Sequence, residues 1–459
     1  MKNWKHVILP AVSAVISAQT AGAAGNQTSG RPPNLILLLA DDLGIGDVGA
    51  YGCKDIPTPN IDKLAAQGVR CSTAYTACPV CSPSRTAIMT GQYPQRNAYN
   101  GNEDRGAPIS DEHPTLAEFM RDAGYVTGMV GRWDIGATLQ GPLDRGFMEV
   151  ARRSTLPETD PRRDPLLIRK FGSTTYLQED GVYYTDRNRD NLIEFVEKHK
   201  DEPFFLYFAP LAVHFPVQEA PQKYLDRVPA GVTNQTRRCL AATLIALDDA
   251  IGALMETVHR LGLDENTAVF FVSDNGGQLR DGSTNVPFKG GKATEWEGGL
   301  RIPFIFRWTG KVPAGVTFDG MLSTVDIYAT AAALAGKPAP EACDGVNLMP
   351  YMTGQKKGNV HDELCWRWLE GKNPRSMHAV RNGKWRLMKK SITDPWQLYD
   401  IEADPGETVN LAAQHPEVVG DMAARYEKWA QTVKEPSGMS RNNGGRTPSG
   451  IGWATPQNP

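Results

Sequence analysis

The chain reads as an α/β protein, with a large mostly parallel sheet sandwiched by helices and a smaller C-terminal subdomain of antiparallel sheet and one helix. Three observations predict this. Short, continuous apolar runs recur along the chain, amphipathic stretches at helical spacing separate them, and beyond about Leu364 the texture changes to short alternating runs. Runs without polar alternation suit strands buried on both faces, and strands alternating with helices imply a parallel sheet covered on both sides.

The elements follow in chain order. Met1 to about Gly25 carries Lys2 and Lys5, the apolar run Val7 to Ile16, and then Ala21-Gly22-Ala23-Ala24. This is the layout of a cleavable secretory signal, placed at residues 1–24, and its apolar run is too short to span a bilayer. The expectation is an exported chain, periplasmic or secreted, without membrane insertion. A catalytic domain follows over residues 31–360. Its strands are expected at Asn34 to Ala40, Phe204 to Ala209, Ala268 to Ser273 and Ile302 to Phe306. Its helices are expected at Asn60 to Gln67, Leu116 to Ala123, Arg187 to His199, Cys239 to Leu261 and Thr324 to Ala335. The alternating runs Met377 to Arg381, Trp385 to Lys389 and Trp396 to Tyr399, with a helix from about Pro416 to Val433, make a subdomain over residues 361–435. Residues 436–459, rich in Gly, Pro, Ser and Asn, form an extended tail.

With 459 residues, 41% hydrophobic and 22% charged, the chain can bury a large core, which excludes a disordered or fibrous protein. The formal net charge of -3 gives no global attraction for nucleic acid or an anionic membrane, so any anionic ligand must be met locally. Seven cysteines are an odd number for an exported chain, which leaves at least one free, modified or bonded to another chain.

Polar residues gather where the expected strands end, which is where open α/β sheets hold ligands. Leu-Leu-Leu-Ala runs into Asp41-Asp42, Phe-Phe-Val-Ser into Asp274-Asn275, and the run from Phe204 leads to His214. Asp41, Asp42, Asp274 and Asn275 offer only oxygen, the donor set of a hard divalent cation such as Ca²⁺ or Mg²⁺. Asp41 and Asp42 alone would read as a turn cap; the second cluster tips the reading toward metal. Cys78 and Cys81 have CxxC spacing, yet no second pair at zinc spacing and no thioredoxin context accompany them. Pro83 suits the first turn of a helix through Ala87 and Met89, which puts Cys81 at a helix N-terminus. There the free amides and the dipole favour an anion, and Arg85 adds a fixed charge one turn on.

Cys81-Ser82-Pro83-Ser84-Arg85, followed by Thr-Ala-Ile-Met-Thr-Gly, resembles the C-x-P-S-R signature of the type I sulfatases. Further motifs occur in that family's order: Asp41-Asp42-Leu43-Gly44, Thr58-Pro59-Asn60-Ile61-Asp62, Gly124-Tyr125-Val126-Thr127, Ser273-Asp274-Asn275-Gly276, Gly290-Gly291-Lys292, Glu297-Gly298-Gly299 and Leu398-Tyr399-Asp400. The resemblance implies an alkaline-phosphatase-like fold and conversion of Cys81 to formylglycine by a maturation enzyme. It implies one Ca²⁺ held by Asp41, Asp42, residue 81, Asp274 and Asn275. One hydroxyl of the formylglycine hydrate would attack a sulfate monoester, and the other would then expel sulfate. Arg85 would stabilise the hydrate, His214 would protonate the leaving oxygen, and Lys292 would bind the sulfate. Taken alone, His214 reads equally as a structural histidine and Lys292 as a solvated loop lysine.

One stretch departs from the family pattern. Where the family reads Gly-Lys-Trp-His-Leu-Gly, this chain reads Gly131-Arg132-Trp133-Asp134-Ile135-Gly136. Arg132 keeps the charge of the usual lysine in a longer, planar group. Asp134 replaces the histidine that takes a proton as sulfate is expelled; it is either a base without imidazole's tunable pKa or the salt-bridge partner of Arg132.

The leading reading is therefore an exported bacterial sulfatase acting on sulfated polysaccharide or glycosaminoglycan fragments. The alternatives are a related phosphodiesterase, phosphonate or sulfamate hydrolase, and a weakened protein that binds sulfated glycans without cleaving them. Arg152, Arg153, Arg162, Arg163, Arg169 and Lys170 read either as a basic rim for a polyanion or as a solvated loop. Trp366, Trp368 and Trp396 read either as sugar-stacking residues or as core.

Overall fold

The structure is a computed structural model that describes residues 31–136, 141–152, 167–170, 173–176, 182–214, 220–369 and 376–434. The first half of the chain forms β1 (Asn34–Ala40), α1 (Pro59–Ala66), β2 (Val69–Cys71), β3 (Ala74–Tyr75), α2 (Cys81–Thr90), α3 (Leu116–Asp122) and β4 (Val126–Gly131). Next come β5 (Glu149–Arg152), β6 (Leu167–Lys170), β7 (Ser173–Tyr176), α4 (Tyr184–Lys198), β8 (Phe204–Ala209), α5 (Gln222–Leu225) and α6 (Gln235–Arg260). Then follow β9 (Thr267–Ser273), α7 (Glu297–Leu300), β10 (Phe304–Arg307), β11 (Val316–Phe318), β12 (Leu322–Ser323), α8 (Asp326–Leu334) and α9 (Met349–Met352). The chain closes with β13 (Glu363–Leu369), β14 (Ser376–Asn382), β15 (Trp385–Lys389), β16 (Gln397–Asp400) and α10 (Pro416–Ala430).

Ten strands make one sheet in the order β11-β2-β10-β9-β1-β8-β4-β5-β6-β7. The five at its centre, β9 to β5, run parallel, while β10 and the β5-β6-β7 ribbon pair antiparallel. β1 explains why its sequence shows no polar alternation. Ile36, Leu38 and Ala40 face one core with Leu244, Leu247 and Ile251 of α6, and Leu35, Leu37 and Leu39 face a second with Ile88 of α2, Met120 of α3 and Ile327 of α8. Both faces are dry, so both registers must be apolar. The large sheet sandwiched by helices, with its C-terminal antiparallel sheet, is the architecture the sequence predicts.

Differences at boundaries have local causes. α6 starts at Gln235, ahead of the expected Cys239, because the Asn234 side chain accepts from the Arg237 amide at 2.9 Å and caps the helix. β10 starts at Phe304 rather than Ile302, since Arg301 instead forms an isolated bridge to Tyr75. β4 escaped the apolar-run criterion because Gly128 interrupts it; a Cβ there would lie 2.3 Å from the Phe195 ring, so the strand needs a gap where α4 packs.

β13 to β16 form a four-stranded antiparallel sheet between two layers. Trp366, Trp368, Met377 and Met388 face Tyr75, Val80 and Leu300, while Cys365, Val380, Leu387 and Leu398 face Met422 and Tyr426 of α10. Trp366 and Trp368 are therefore core residues, 1% and 4% exposed, and the sugar-stacking alternative falls for both. The Trp366 indole N–H donates to the Thr76 carbonyl at 2.8 Å. Trp396 packs edge-on to Tyr426. Buried Arg386 of β15 ties this sheet to α7, with Nε 3.2 Å from Glu297 and its NH1 edge against Glu407.

The leader 1–24, the tail 436–459 and the side chains of the basic segment 152–170 lie outside the described residues. No described helix is long and apolar enough to cross a membrane.

Candidate active site

Four neighbouring parallel strands, β9, β1, β8 and β4, end on the same edge, and each delivers site residues in the turn that follows. Ala40 pairs with Ser273, so Asp41-Asp42 and Asp274-Asn275 leave the sheet side by side. Asp42 takes a left-handed backbone (φ 61°), which a short polar side chain tolerates, and its amide donates to Asp274 Oδ1 at 3.1 Å. Two glycines permit this crowding. A Cβ on Gly276 would sit 1.8 Å from the Gly298 carbonyl, and Gly131 (φ 111°) would meet the Ala209 carbonyl at 2.0 Å, just before Arg132.

Cys81 is the first residue of α2, 1% exposed, and its Sγ lies 3.7 Å from Asp41 Oδ1 and 3.9 Å from Asp42 Oδ1. All seven cysteines are free thiols. One turn along α2, Arg85 is fully buried and clamps two acids, with NH2 3.1 Å from Asp41 and 2.8 Å from Asp274. Arg132 NH1 lies 2.6 Å from Asp41 and its NH2 2.9 Å from Asp134. Lys292 reaches Asp42 Oδ2 at 2.7 Å, and His214 Nε2 lies 3.6 Å from the same oxygen. The structure thus gathers all ten residues singled out from the sequence into one cluster; Asp41, Asp42, Cys81 and His214 bring ligand atoms within 4.8 Å of one another.

Electrostatics separates the carboxylates. Burial alone would raise Asp41, but Arg132 and Arg85 overturn that and hold it far below the usual carboxylate range. Asp274 is pushed up to about 7 by burial and by the charge of Asp41, against the pull of Arg85. Burial drives the Cys81 thiol well above its ordinary value although Lys292 opposes it, so the unmodified side chain is a poor nucleophile. His214 is lowered by burial, despite the nearby Asp41 and Asp42 charges.

The donors fit a hard divalent cation. Three carboxylates and an amide converge, and the Asn275 Oδ1 is a buried acceptor without a hydrogen-bond partner while its Nδ2 donates to Asp42 at 2.8 Å. Asp134 is held away from this oxygen cluster. In a left-handed backbone (φ 57°), its Oδ2 accepts from the Ser82 hydroxyl and from Arg132, both at 2.9 Å. Ser82 and Arg105 were not singled out from the sequence. Ser82 stands inside the motif beside Cys81, whereas Arg105, 3.8 Å from Asp134, comes from a short 3-10 turn (Asn102–Gly106) with no periodic signal. A cleft of about 370 Å³ lined by Arg96, His113, Glu341 and Lys434 shares none of these residues.

Comparison with known proteins gives two family matches, "Sulfatase" over residues 33–337 and "N-sulphoglucosamine sulphohydrolase, C-terminal" over residues 291–432. The N-acetylgalactosamine-6-sulfatase of Canis lupus familiaris is 32% identical over 435 residues, 87% of this chain and 80% of that protein. Arylsulfatase A of Homo sapiens is 32% identical over 449 residues, 85% of this chain and 86% of its own. Among solved structures, Ps i-CgsB in complex with k-i-k-neocarrahexaose superposes with a TM-score of 0.80 at 33% identity, covering 89% of this chain and 94% of that one.

Proposed function

Because this chain belongs to the type I sulfatase family of the alkaline-phosphatase-like superfamily and is a sulfuric ester hydrolase, we propose that it cleaves sulfate monoesters on carbohydrates through residue 81. One observation carries the reading: a buried residue 81 stands at a helix N-terminus beside Asp41 and Asp42, with Arg85, Arg132 and Lys292 within the same cluster. Support for the substrate class comes from relatives named for N-acetylgalactosamine-6-sulfatase activity and from a structural neighbour crystallised with a neocarrahexaose.

In this reading Cys81 is converted to formylglycine by a maturation enzyme, since the buried thiol is protonated and a thiolate would leave a thiosulfate ester without a hydroxyl to expel it. Asp41, Asp42, Asp274, Asn275 and residue 81 hold one Ca²⁺, which when bound neutralises the ester's charge and acidifies the attacking hydroxyl. Arg85 fixes residue 81 against the acids, Lys292 and Arg132 take sulfate oxygens, and His214 serves the leaving oxygen from the open side of the cluster. The chain is exported by its leader and works in the periplasm or outside the cell. A second reading, binding without turnover, is favoured by the Arg132–Asp134 ion pair, which occupies both residues that replace the family's lysine and histidine.

The test is sulfate release from a panel of sulfated saccharides by protein coexpressed with a maturation enzyme, an aldehyde at position 81 being verified by mass spectrometry. The expected result is release that Cys81→Ala abolishes. Aldehyde-bearing protein that binds these saccharides but releases nothing would establish the second reading instead.

A further inference from the structure

Asp134 stands where the family pattern has a histidine, and its carboxylate serves as a bracket for two guanidinium groups. Oδ2 takes Arg132 NH2 at 2.9 Å together with the Ser82 hydroxyl at 2.9 Å, and Oδ1 faces Arg105 NH1 at 3.8 Å. The two arginines differ in what is left over. Arg132 is 13% exposed and spends its other nitrogen on Asp41 beside residue 81. Arg105 is 46% exposed, and its Nε donates to the Asn102 carbonyl at 3.1 Å, which fixes the plane of the group without consuming its charge. The 3-10 turn that carries Arg105 is in turn anchored to the nucleophile's helix, because the Ser82 amide donates to the Asn102 side chain at 3.1 Å. The neighbouring Asp104 is turned inward onto the amides of Asn100 and Gly101, at 2.7 and 3.0 Å, and does not compete for Arg105.

A planar guanidinium steadied at Nε and NH1, with NH2 taken up by neither contact and the group half exposed, is suited to donate to an oxyanion. It stands one carboxylate's span from the arginine of the sulfate pocket. We propose that Arg105 is a specificity-determining residue that takes a second anionic substituent, a sulfate or carboxylate, on the saccharide whose ester is cleaved at residue 81. The inference rests on the function proposed above and narrows its substrate class to saccharides bearing at least two charged groups. It also gives the replacement of histidine by Asp134 a physical purpose: a neutral imidazole has one acceptor nitrogen and its cation none, whereas the carboxylate accepts from Arg132 and sets its second oxygen 3.8 Å from Arg105.

The experiment compares wild type and Arg105→Ala on a disulfated saccharide, its monosulfated counterpart and a small aryl sulfate. The loss of one charge-assisted contact is expected to raise KM for the disulfated substrate about tenfold with little change in kcat, leaving the aryl sulfate and monosulfated substrates within about twofold. Arg105→Lys is expected to restore part of that discrimination. In parallel, calorimetry with the unmodified Cys81→Ala protein measures disulfated and monosulfated saccharide binding with and without Arg105. An equal loss on all substrates, or none on the disulfated one, would overturn the assignment. Absence of turnover by wild type on every substrate would instead sink the hydrolytic reading, and the calorimetric comparison would still decide the role of Arg105.

Discussion

Asn275 is the residue on which the metal reading is most exposed to test. Its side-chain oxygen is buried and has no partner among the described residues, a state that costs about 1–3 kcal/mol unless a ligand fills it. Replacement by alanine removes one ligand and leaves Asp41, Asp42 and Asp274 in place. Calcium affinity, followed by calorimetry or by the Ca²⁺-induced rise in Tm, is expected to fall by at least about tenfold. Unchanged affinity would remove Asn275 from the ligand set. At this scale the sequence was informative where function fixes residue type at a strand end, and all ten candidate positions meet in one cluster. It offered the Arg132–Asp134 salt bridge as one of two readings of Asp134, and the structure has that pair; it was silent about Arg105 and about the left-handed backbone of Asp134, which no side-chain pattern announces.

Among the elements, α7 and β15 meet through a buried charge cluster whose protonation is part of its stability. Glu407 is pushed up to about 7, first by burial and then by Glu297, with Arg386 pulling the other way. A carboxyl with a native pKa above its unfolded value binds its proton more tightly in the folded chain. Its contribution is complete below about 4.5 and is lost as pH rises through about 7. Tm is therefore expected to decline across that window through this group, and Glu407→Gln is expected to flatten the decline; an identical slope in the variant would exclude Glu407 as its source. The same elements show what periodicity can detect. β1, β8 and β9 are uninterrupted apolar runs and were legible, while β4 carries glycines where α4 and the β8 turn approach, and β13 shows no alternation after Glu363, with Arg367 its single polar residue there.

For the molecule as a whole, Arg386 couples the C-terminal sheet to the rest of the chain. It is fully buried between Glu297 and Glu407, so Arg386→Met would strand at least one acid in the interior and is expected to cost about 3–5 kcal/mol in urea unfolding. A loss below about 1 kcal/mol would mean that the two glutamates share a proton and need no counter-charge. Such a tertiary tie is invisible in the sequence, because Glu297, Arg386 and Glu407 lie on three separate segments with no common pattern. The pairing of β1 carries a related consequence for how the protein forms. Ile36 lies beside Leu206 on one side and Val269 on the other, so the strand's neighbours are made from chain far downstream. Contacts of such sequence separation close late and slowly during folding. Nascent chains released before β9 lack one neighbour of β1 together with Asp274 and Asn275, and are expected to hold no partial activity.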